Sequence, residues 1–501
     1  LPFTLELEEA TFSNWPGLHS FAFGEWDGKW VFIAGRSNGL HGFFPFTGFP
    51  ESNANDKIWV MDGQTGELWD WEIAGFSENL KGPLLASNPQ YAQHGKHLYI
   101  AGGYGKSTTN DDFLTWNTLT AVDLDMLVPA VINGTNPEAA FRQISDDRMQ
   151  VCGGEMALLE GEFYLVGGHD FAGLYNSNGG PSFTQTYTSE IRRFQIADDG
   201  IDFSIENYQA FSDAEFHRRD GSIAPLMTPN GTPALGFYGG VFQPDKDLPY
   251  RKPIYISTET IEVDQNYEQL MSQYTCPIVP IFDSATGTMY SAFFGGISLH
   301  YFKEDEGLVA DSLMPFIDDV SILIRHADGT SVEFLPGLGF GELLGTNAKF
   351  ILSSDAPHFD NKVLDSSELQ GRTMVGFIYG GIKALIPNIT PTEASNRLFK
   401  VYVTPNISAT KEQLQEVHAY IFPNPFSNQF SIHLPNDFSP SNMAILDMAG
   451  RPIWQRTNLF ADELIVQAER FLGNEMPGVY FLKMEDQHGK TVMLKVVKMR
   501  V

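Results

Sequence analysis

Cysteine is nearly missing from this chain of 501 residues: only Cys152 and Cys276 occur. Two cysteines exclude a disulfide-built scaffold and a multi-cysteine metal site. They leave room for one disulfide, but buried free thiols suit their places near the starts of innermost strands better. Long apolar runs are also lacking. No stretch reaches the ~18 consecutive apolar residues of a membrane helix. Basic residues are scarce, 32 Lys and Arg against 62 Asp and Glu, for a net charge of −30. A surface this acidic repels phosphate backbones, which argues against nucleic-acid binding. The chain opens Leu1-Pro2-Phe3 rather than with Met, which suggests a processed end left by removal of an export signal.

What is present is glycine, 47 residues, and proline, 29, the punctuation of many short strands. Six glycine-centred strand endings recur: Ile33-Ala34-Gly35-Arg36, Ile100-Ala101-Gly102-Gly103, Leu165-Val166-Gly167-Gly168, Phe237-Tyr238-Gly239-Gly240, Phe293-Phe294-Gly295-Gly296 and Ile378-Tyr379-Gly380-Gly381. Each follows an apolar run and precedes a polar, irregular stretch. A strand-rich unit repeated six times predicts a β-propeller. The spacing exceeds the ~40–50 residues of a simple blade, so every blade carries extra loop. Alternation in Phe3-Thr4-Leu5-Glu6-Leu7 predicts a strand that closes the ring beside a C-terminal one, such as Arg397–Val403, and so removes exposed edges.

The repeats resemble the kelch family of propellers over residues 1–405, with Gly35-Arg36 standing for the glycine pair in the first blade. The expected fold is therefore all-β: a six-bladed kelch-like β-propeller, a polar linker over 406–417, and a small Ig-like β-sandwich over 418–501. The last segment holds eight acidic and eight basic residues. The acidity therefore belongs upstream, and two modules with different partners are implied.

The C-terminal segment carries Pro423-Asn424-Pro425, an Asp447 to Gly450 turn, Gly478-Val479-Tyr480 and a lysine-bearing last strand ending at Lys498. In this order it resembles the type A C-terminal sorting domain of the type IX secretion system of Bacteroidota. That resemblance implies an address read by the outer-membrane translocon and its shuttle. The cargo would be released to the medium or held on the cell surface. It assigns no chemistry to this module.

In a propeller, the loops after the glycine pairs and those leading into each blade share one face. This topology gathers Arg36, His41, Tyr104, Trp116, His169, Asp170, Tyr175, Tyr250 and Arg251 with the cluster His217-Arg218-Arg219-Asp220. Flat rings stack on sugar C–H faces and ionisable groups bond hydroxyls, so a glycan ligand is the natural expectation. The four-residue cluster reads either as an acid/base and anion clamp or as an ion-pair network tying blades together. No Gly-x-Ser-x-Gly elbow, His-Glu-x-x-His helix or phosphate-cradling loop occurs. The sialidase Ser-x-Asp-x-Gly-x-Thr box is missing as well. No cofactor is implied. The aspartate-rich loops are compatible with Ca2+ but lack an EF-hand pattern. Three readings follow: an exported binding or adhesion module, an extracellular carbohydrate-active enzyme with an axial site, or a structural part of a surface assembly.

Overall fold

A computed structural model describes the chain except residues 11, 13, 43–47, 176–181, 304–306, 407–419, 423, 425–428, 434–439, 447–450, 458–464, 468–477, 487–490 and 499–501. It is an all-β protein. Residues 1–405 form six antiparallel sheets, each with four main strands. Sheet 1 runs Ala22–Trp26, Lys29–Ile33, Lys57–Met61, Leu68–Glu72, and sheet 2 runs Gln90–His94, His97–Ala101, Thr118–Asp123, Phe141–Ser145. Sheet 3 is Glu155–Leu159, Glu162–Val166, Glu190–Asp198, Phe203–Ser212, and sheet 4 is Ser222–Met227, Pro233–Tyr238, Ile254–Ile256, Ile261–Val263. Sheet 5 is Ile278–Asp283, Thr288–Ile297, Phe316–Arg325, Ser331–Phe334. Sheet 6 combines Leu343–Leu352, Thr373–Ile386 and Leu398–Pro405 with the N-terminal strand Phe3–Ala10. Phe3 pairs with Pro405 and Ala10 with Leu398, so the alternating N-terminus does complete a sheet begun 400 residues later.

The glycine pairs have a specific task. Each second strand carries two consecutive left-handed residues, just past its end in sheets 1 to 4 and within it in sheets 5 and 6, such as Gly102 (φ +62°) and Gly103 (φ +89°). That turn aims an amide at the segment leading into the next sheet. Gly35 N–H donates to Ala86 O, Gly103 to Val151 O and Gly168 to Arg218 O. A Cβ on Gly295 would stand 2.0 Å from the Leu344 carbonyl oxygen, so no side chain fits there. Sheet 6 meets sheet 1 in the same way, through Gly381 N–H to Leu18 O at 2.8 Å. The first repeat needs a correction. Its left-handed pair is Ala34 (φ +62°) and Gly35 (φ +85°), not Gly35-Arg36. The crowding that excludes side chains comes from backbone at the start of the next sheet, such as Val151 O against Gly102 and Leu344 O against Gly295.

A second sixfold regularity lies just before each first strand, or within it in sheet 6. Ser20, Asn88, Gly153, Asp220, Thr275 and Asn347 all take a positive φ, between 50° and 62°. Five of these are not glycine, and such residues rarely adopt that conformation. Neighbours in the series are joined: Asn88 N–H bonds Ser20 O, Gly153 N–H bonds Asn88 O, Asp220 N–H bonds Gly153 O, and Asn347 Nδ2 bonds Ser20 Oγ.

The extra loop length is spent mostly between second and third strands. It builds hairpins at Tyr104–Ser107/Asp112–Thr115, His169–Gly173/Phe183–Tyr187 and His300–Lys303/Gly307–Ala310. Cys152 and Cys276 are both free and buried. Burial pushes each thiol up to about 12, so both are inert. No helix among the described residues is long and apolar enough to cross a membrane.

Beyond residue 419, Tyr420–Phe422, Gln429–His433 and Ile465–Gln467 form one sheet, and Pro452–Thr457, Pro440–Leu446, Gly478–Asp486 and Thr491–Lys498 another. Ile421 and Ile432 of the first share a core with Met443, Ile445, Tyr480, Leu482 and Val496 of the second. Two sheets sealed by one apolar layer are the minimum that such a short segment needs. Most of the expected linker, residues 407–417, lies outside the described residues.

Candidate functional site

Lead-in segments and post-glycine loops do share a surface. His19 bridges to Arg36, Ser87 to Tyr104, Cys152 to His169, Arg219 to Val241 and Tyr274 to Ile297. Within sheet 6, Thr346 pairs with Ile382 at the same place. Sheets 1 to 3 then contribute an aromatic wall. The His41 ring lies 4.5 Å from Tyr175 and 5.3 Å from Phe49. Phe49 meets Tyr104 edge-on at 5.0 Å, and Tyr104 meets Phe171 at 5.2 Å. His169 reaches Tyr187 at 5.6 Å, and Tyr187 stacks on His217 at 4.1 Å.

Against this wall stands Arg219, ion-paired with Asp220. Its Nε donates to Tyr187 Oη at 3.3 Å, and its guanidinium lies 5.2 Å over the Phe242 ring. Burial alone would lower its pKa, but Asp220 and Tyr187 outweigh that and raise it. The imidazoles go the other way. Burial, with Arg219 and Arg36 nearby, brings His41 down to about 4. Burial and Arg219 hold His169 well below its ordinary value, and burial lowers His217. At neutral pH the patch therefore presents a guanidinium–carboxylate pair among neutral imidazoles and phenols. Such groups bond hydroxyls and amides in either direction.

The other expected residues have different duties. Arg36 is buried and donates to Pro50 O at 2.8 Å and Asn38 Oδ1 at 3.0 Å, under Phe49. It props the loop that carries the wall. Asp170 accepts from Gln150 Nε2 at 3.2 Å, and burial raises its pKa. Arg218 is fully buried. It donates to Gly239 O, Lys252 O and Glu215, and lies 4.5 Å over Tyr250. It is a structural clamp, and Tyr250 is its floor. Arg251 bonds Gln269 O and Glu268. Trp116 packs on Gly82 of the helix Glu78–Leu84. The structure brings none of these last four to the Arg219 patch. Among the described residues no group of three or more His, Cys, Asp or Glu is placed to hold a metal ion.

Sequence reasoning missed Tyr274, Phe242 and Gln185, whose amide lies 2.6 Å from His169 Nδ1. It also missed a cavity of about 500 Å³ lined by the first strand of every sheet. All six left-handed residues line it. One wall is aromatic, with Phe23, Tyr91 and Phe350, and Glu155 and Lys349 project into it. Burial pushes Glu155 up to about 7, against the pull of Lys349. Burial works against the Lys349 ammonium too, yet Tyr91 and Glu155 keep its pKa raised. A usable signal existed. Glu155 and Lys349 each follow a left-handed position by two residues, in otherwise apolar strands.

In the C-terminal unit, Asn424 has an explicit role. Its side-chain amide donates to Lys495 O at 2.7 Å, and its oxygen accepts from Val497 N–H at 2.8 Å. It thereby ties the start of the unit to the last strand. Tyr480 is in the shared core, while Gly478 and Lys498 are paired across the last hairpin. Pro423, Pro425, Asp447 and Gly450 lie outside the described residues. No curated protein matches the chain. Residues 420–499 match the secretion system C-terminal sorting domain family. The chain thus carries the sorting domain of a type IX secretion substrate, exported to the cell surface or medium.

Proposed function

We propose that residues 1–405 are a six-bladed, kelch-like β-propeller, exported by a member of the Bacteroidota, that binds glycans on its loop face. The closed ring is supported by the junction of sheet 6 to sheet 1, which repeats the glycine-to-lead-in bond of sheets 1 to 3. The N-terminal strand then serves as the closing strand of the last blade. The observation that carries the function is the convergence of Tyr175, Tyr187 and Phe49 with the Arg219–Asp220 pair and neutral histidines. Flat faces beside a few fixed donors and acceptors are what a sugar ring needs. In export, residues 420–499 engage the translocon and its shuttle, with Asn424 holding the last strand in place.

A second reading is an extracellular carbohydrate-active enzyme. Two carboxyls, Asp220 and Glu155, line one cavity, and Glu155 is poised near neutral pH. One experiment separates the readings: a glycan array with a parallel turnover screen on the full chain, with and without calcium. Binding without turnover, lost in Tyr187→Ala and Arg219→Ala, supports the binding module. Turnover abolished by Asp220→Asn or Glu155→Gln establishes the enzyme. Neither binding nor turnover leaves a structural part of a surface assembly.

A further inference from the structure

The cavity enclosed by the six first strands is chemically unlike the loop face. Its lining includes acidic and basic side chains, half of which are already matched. Asp220 pairs with Arg219, and Glu25 lies 4.0 Å from Lys362 at the far end. Asp360, Glu155 and Lys349 remain, and the last two stand on first strands. Both line the cavity from positions of identical register, three sheets apart in the order, and neither forms a salt bridge among the described residues. Lys349 Nζ lies 5.8 Å over Phe23 and 5.3 Å over Tyr91. Tyr91 hydrogen-bonds the ammonium and Glu155 attracts it through space, but among the described residues no carboxylate contacts it directly. Opposite charges set apart in one cavity, with apolar side chains in its lining, form a complement to a molecule that carries both charges itself.

The geometry points to this cavity as a binding site for a small zwitterion, an apolar amino acid or a dipeptide with free termini. The ligand's carboxylate would meet Lys349, and its ammonium would meet Glu155. Its side chains would lie against Phe23, Phe350 and Ile223, all of which line the space. About 500 Å³ is within the usual range of small-molecule sites and suits a dipeptide better than a lone glycine. The site shares Asp220 with the loop patch but does not depend on glycan binding there.

The test is titration calorimetry on the full chain with L-leucine, L-phenylalanine and the dipeptide Leu-Phe. The N-acetylated and amidated forms of that dipeptide, and neutral mono- and disaccharides, complete the panel. The expected result is binding of the unblocked dipeptide, weakened at least tenfold by blocking either terminus. Lys349→Met and Glu155→Leu should each lower affinity at least tenfold, with Glu155→Gln as a near-isosteric variant should leucine disturb folding. Tyr187→Ala should leave it unchanged, which separates this site from the loop face. Equal binding of blocked and free dipeptides overturns the proposal. So does a saccharide bound with the same dependence on Lys349 and Glu155, or no binding by any member of the panel to a folded protein.

Discussion

Sheets 1 to 3 and sheets 4 to 6 share a backbone but not a chemistry. In the first three, the residue after the left-handed pair is Arg36, Tyr104 or His169. In the last three, it is Val241, Ile297 or Ile382. The spacing differs too. The lead-in residue precedes the second left-handed residue by 16 positions in sheets 1 to 3 (19 to 35, 87 to 103, 152 to 168). It stretches to 21, 22 and 35 positions in the others (219 to 240, 274 to 296, 346 to 381). Polar and aromatic loops crowd over one half, and the other half supplies Arg219, Asp220 and Tyr274 from its lead-in side. A repeated backbone fixes where side chains can meet, while the chemistry is placed there position by position.

The largest effect should come from the part the two halves share. Gly295→Ala places a methyl 2.0 Å from the Leu344 carbonyl oxygen at φ +59°. Strain plus the clash should cost ~3 kcal/mol or more. Gly28→Ala is its control, because φ is +70° but nothing lies within 4 Å. That change should cost only ~1 kcal/mol. Equal losses in denaturant melts of the two variants would show that the inter-sheet contact carries no stability of its own.

Next in size is an ion pair joining sheets 2 and 3. Arg142 Nη1 and Nη2 bond the Asp198 carboxylate at 2.6 and 2.9 Å, and Tyr99 Oη adds a third bond at 2.8 Å. Burial would raise the Asp198 pKa, but Arg142, the Gly200 amide and Tyr99 outweigh it and hold it at about 2. A lowered carboxyl stabilises the fold above its unfolded value, near 3.8, and loses that contribution as pH falls towards 2. Asp198→Asn should cost on the order of 2 kcal/mol at pH 7 and flatten the acid limb of a melting-temperature profile. Glu155 has the opposite sign. Its raised pKa makes the fold bind a proton more tightly than the unfolded chain does. Stability from this group is full below about 4.5 and is lost as pH rises through about 7. Glu155→Gln should remove that slope, and a slope unchanged in the variant would assign it to another group.

The six sheets were legible because the left-handed pair needs glycine in five of its six occurrences, and glycine is visible in a sequence. The first repeat was misaligned by one because Ala34 takes the glycine conformation with a methyl in place. Much of the loop cluster was legible through topology, since residues after the glycine pairs must meet the lead-in residues. Arg218 and Arg219 show where that reasoning stops. As neighbours on an extended segment they point to opposite sides, one into a fully bonded clamp and the other into the patch. Glu155 and Lys349 were missed because a charged residue in a short strand ordinarily reads as a solvent-facing position. Only the placement of first strands around one cavity shows that these side chains face a lined space.

The functional contrast is tested by matched substitutions in the two halves. If glycan binding belongs to the aromatic half, Tyr187→Ala should weaken it about tenfold, ~1.4 kcal/mol. Ile297→Ala, at the equivalent surface of sheet 5, should leave affinity unchanged though it removes packing. Equal losses on a glycan titration would place the ligand across the whole face.

The smallest effect should come from Ala34→Gly. Relief of a left-handed alanine gains ~1 kcal/mol or slightly more. Glycine's extra freedom in the unfolded chain takes back ~0.5–1 kcal/mol. The Ala34 methyl is fully buried, and its loss costs ~0.8 kcal/mol. The terms nearly cancel, so the variant should melt within a few degrees of the parent. At the equivalent place in sheet 2, a methyl on Gly102 would stand 2.0 Å from Val151 O, and Gly102→Ala should be as damaging as Gly295→Ala. The pair measures one difference between junctions: sheet 1 meets sheet 2 with room for one methyl, and sheet 2 meets sheet 3 with none. If Gly102→Ala melted as mildly as Ala34→Gly, the glycine pairs would be serving the turn alone, and the close approach of sheet to sheet would follow from them rather than require them.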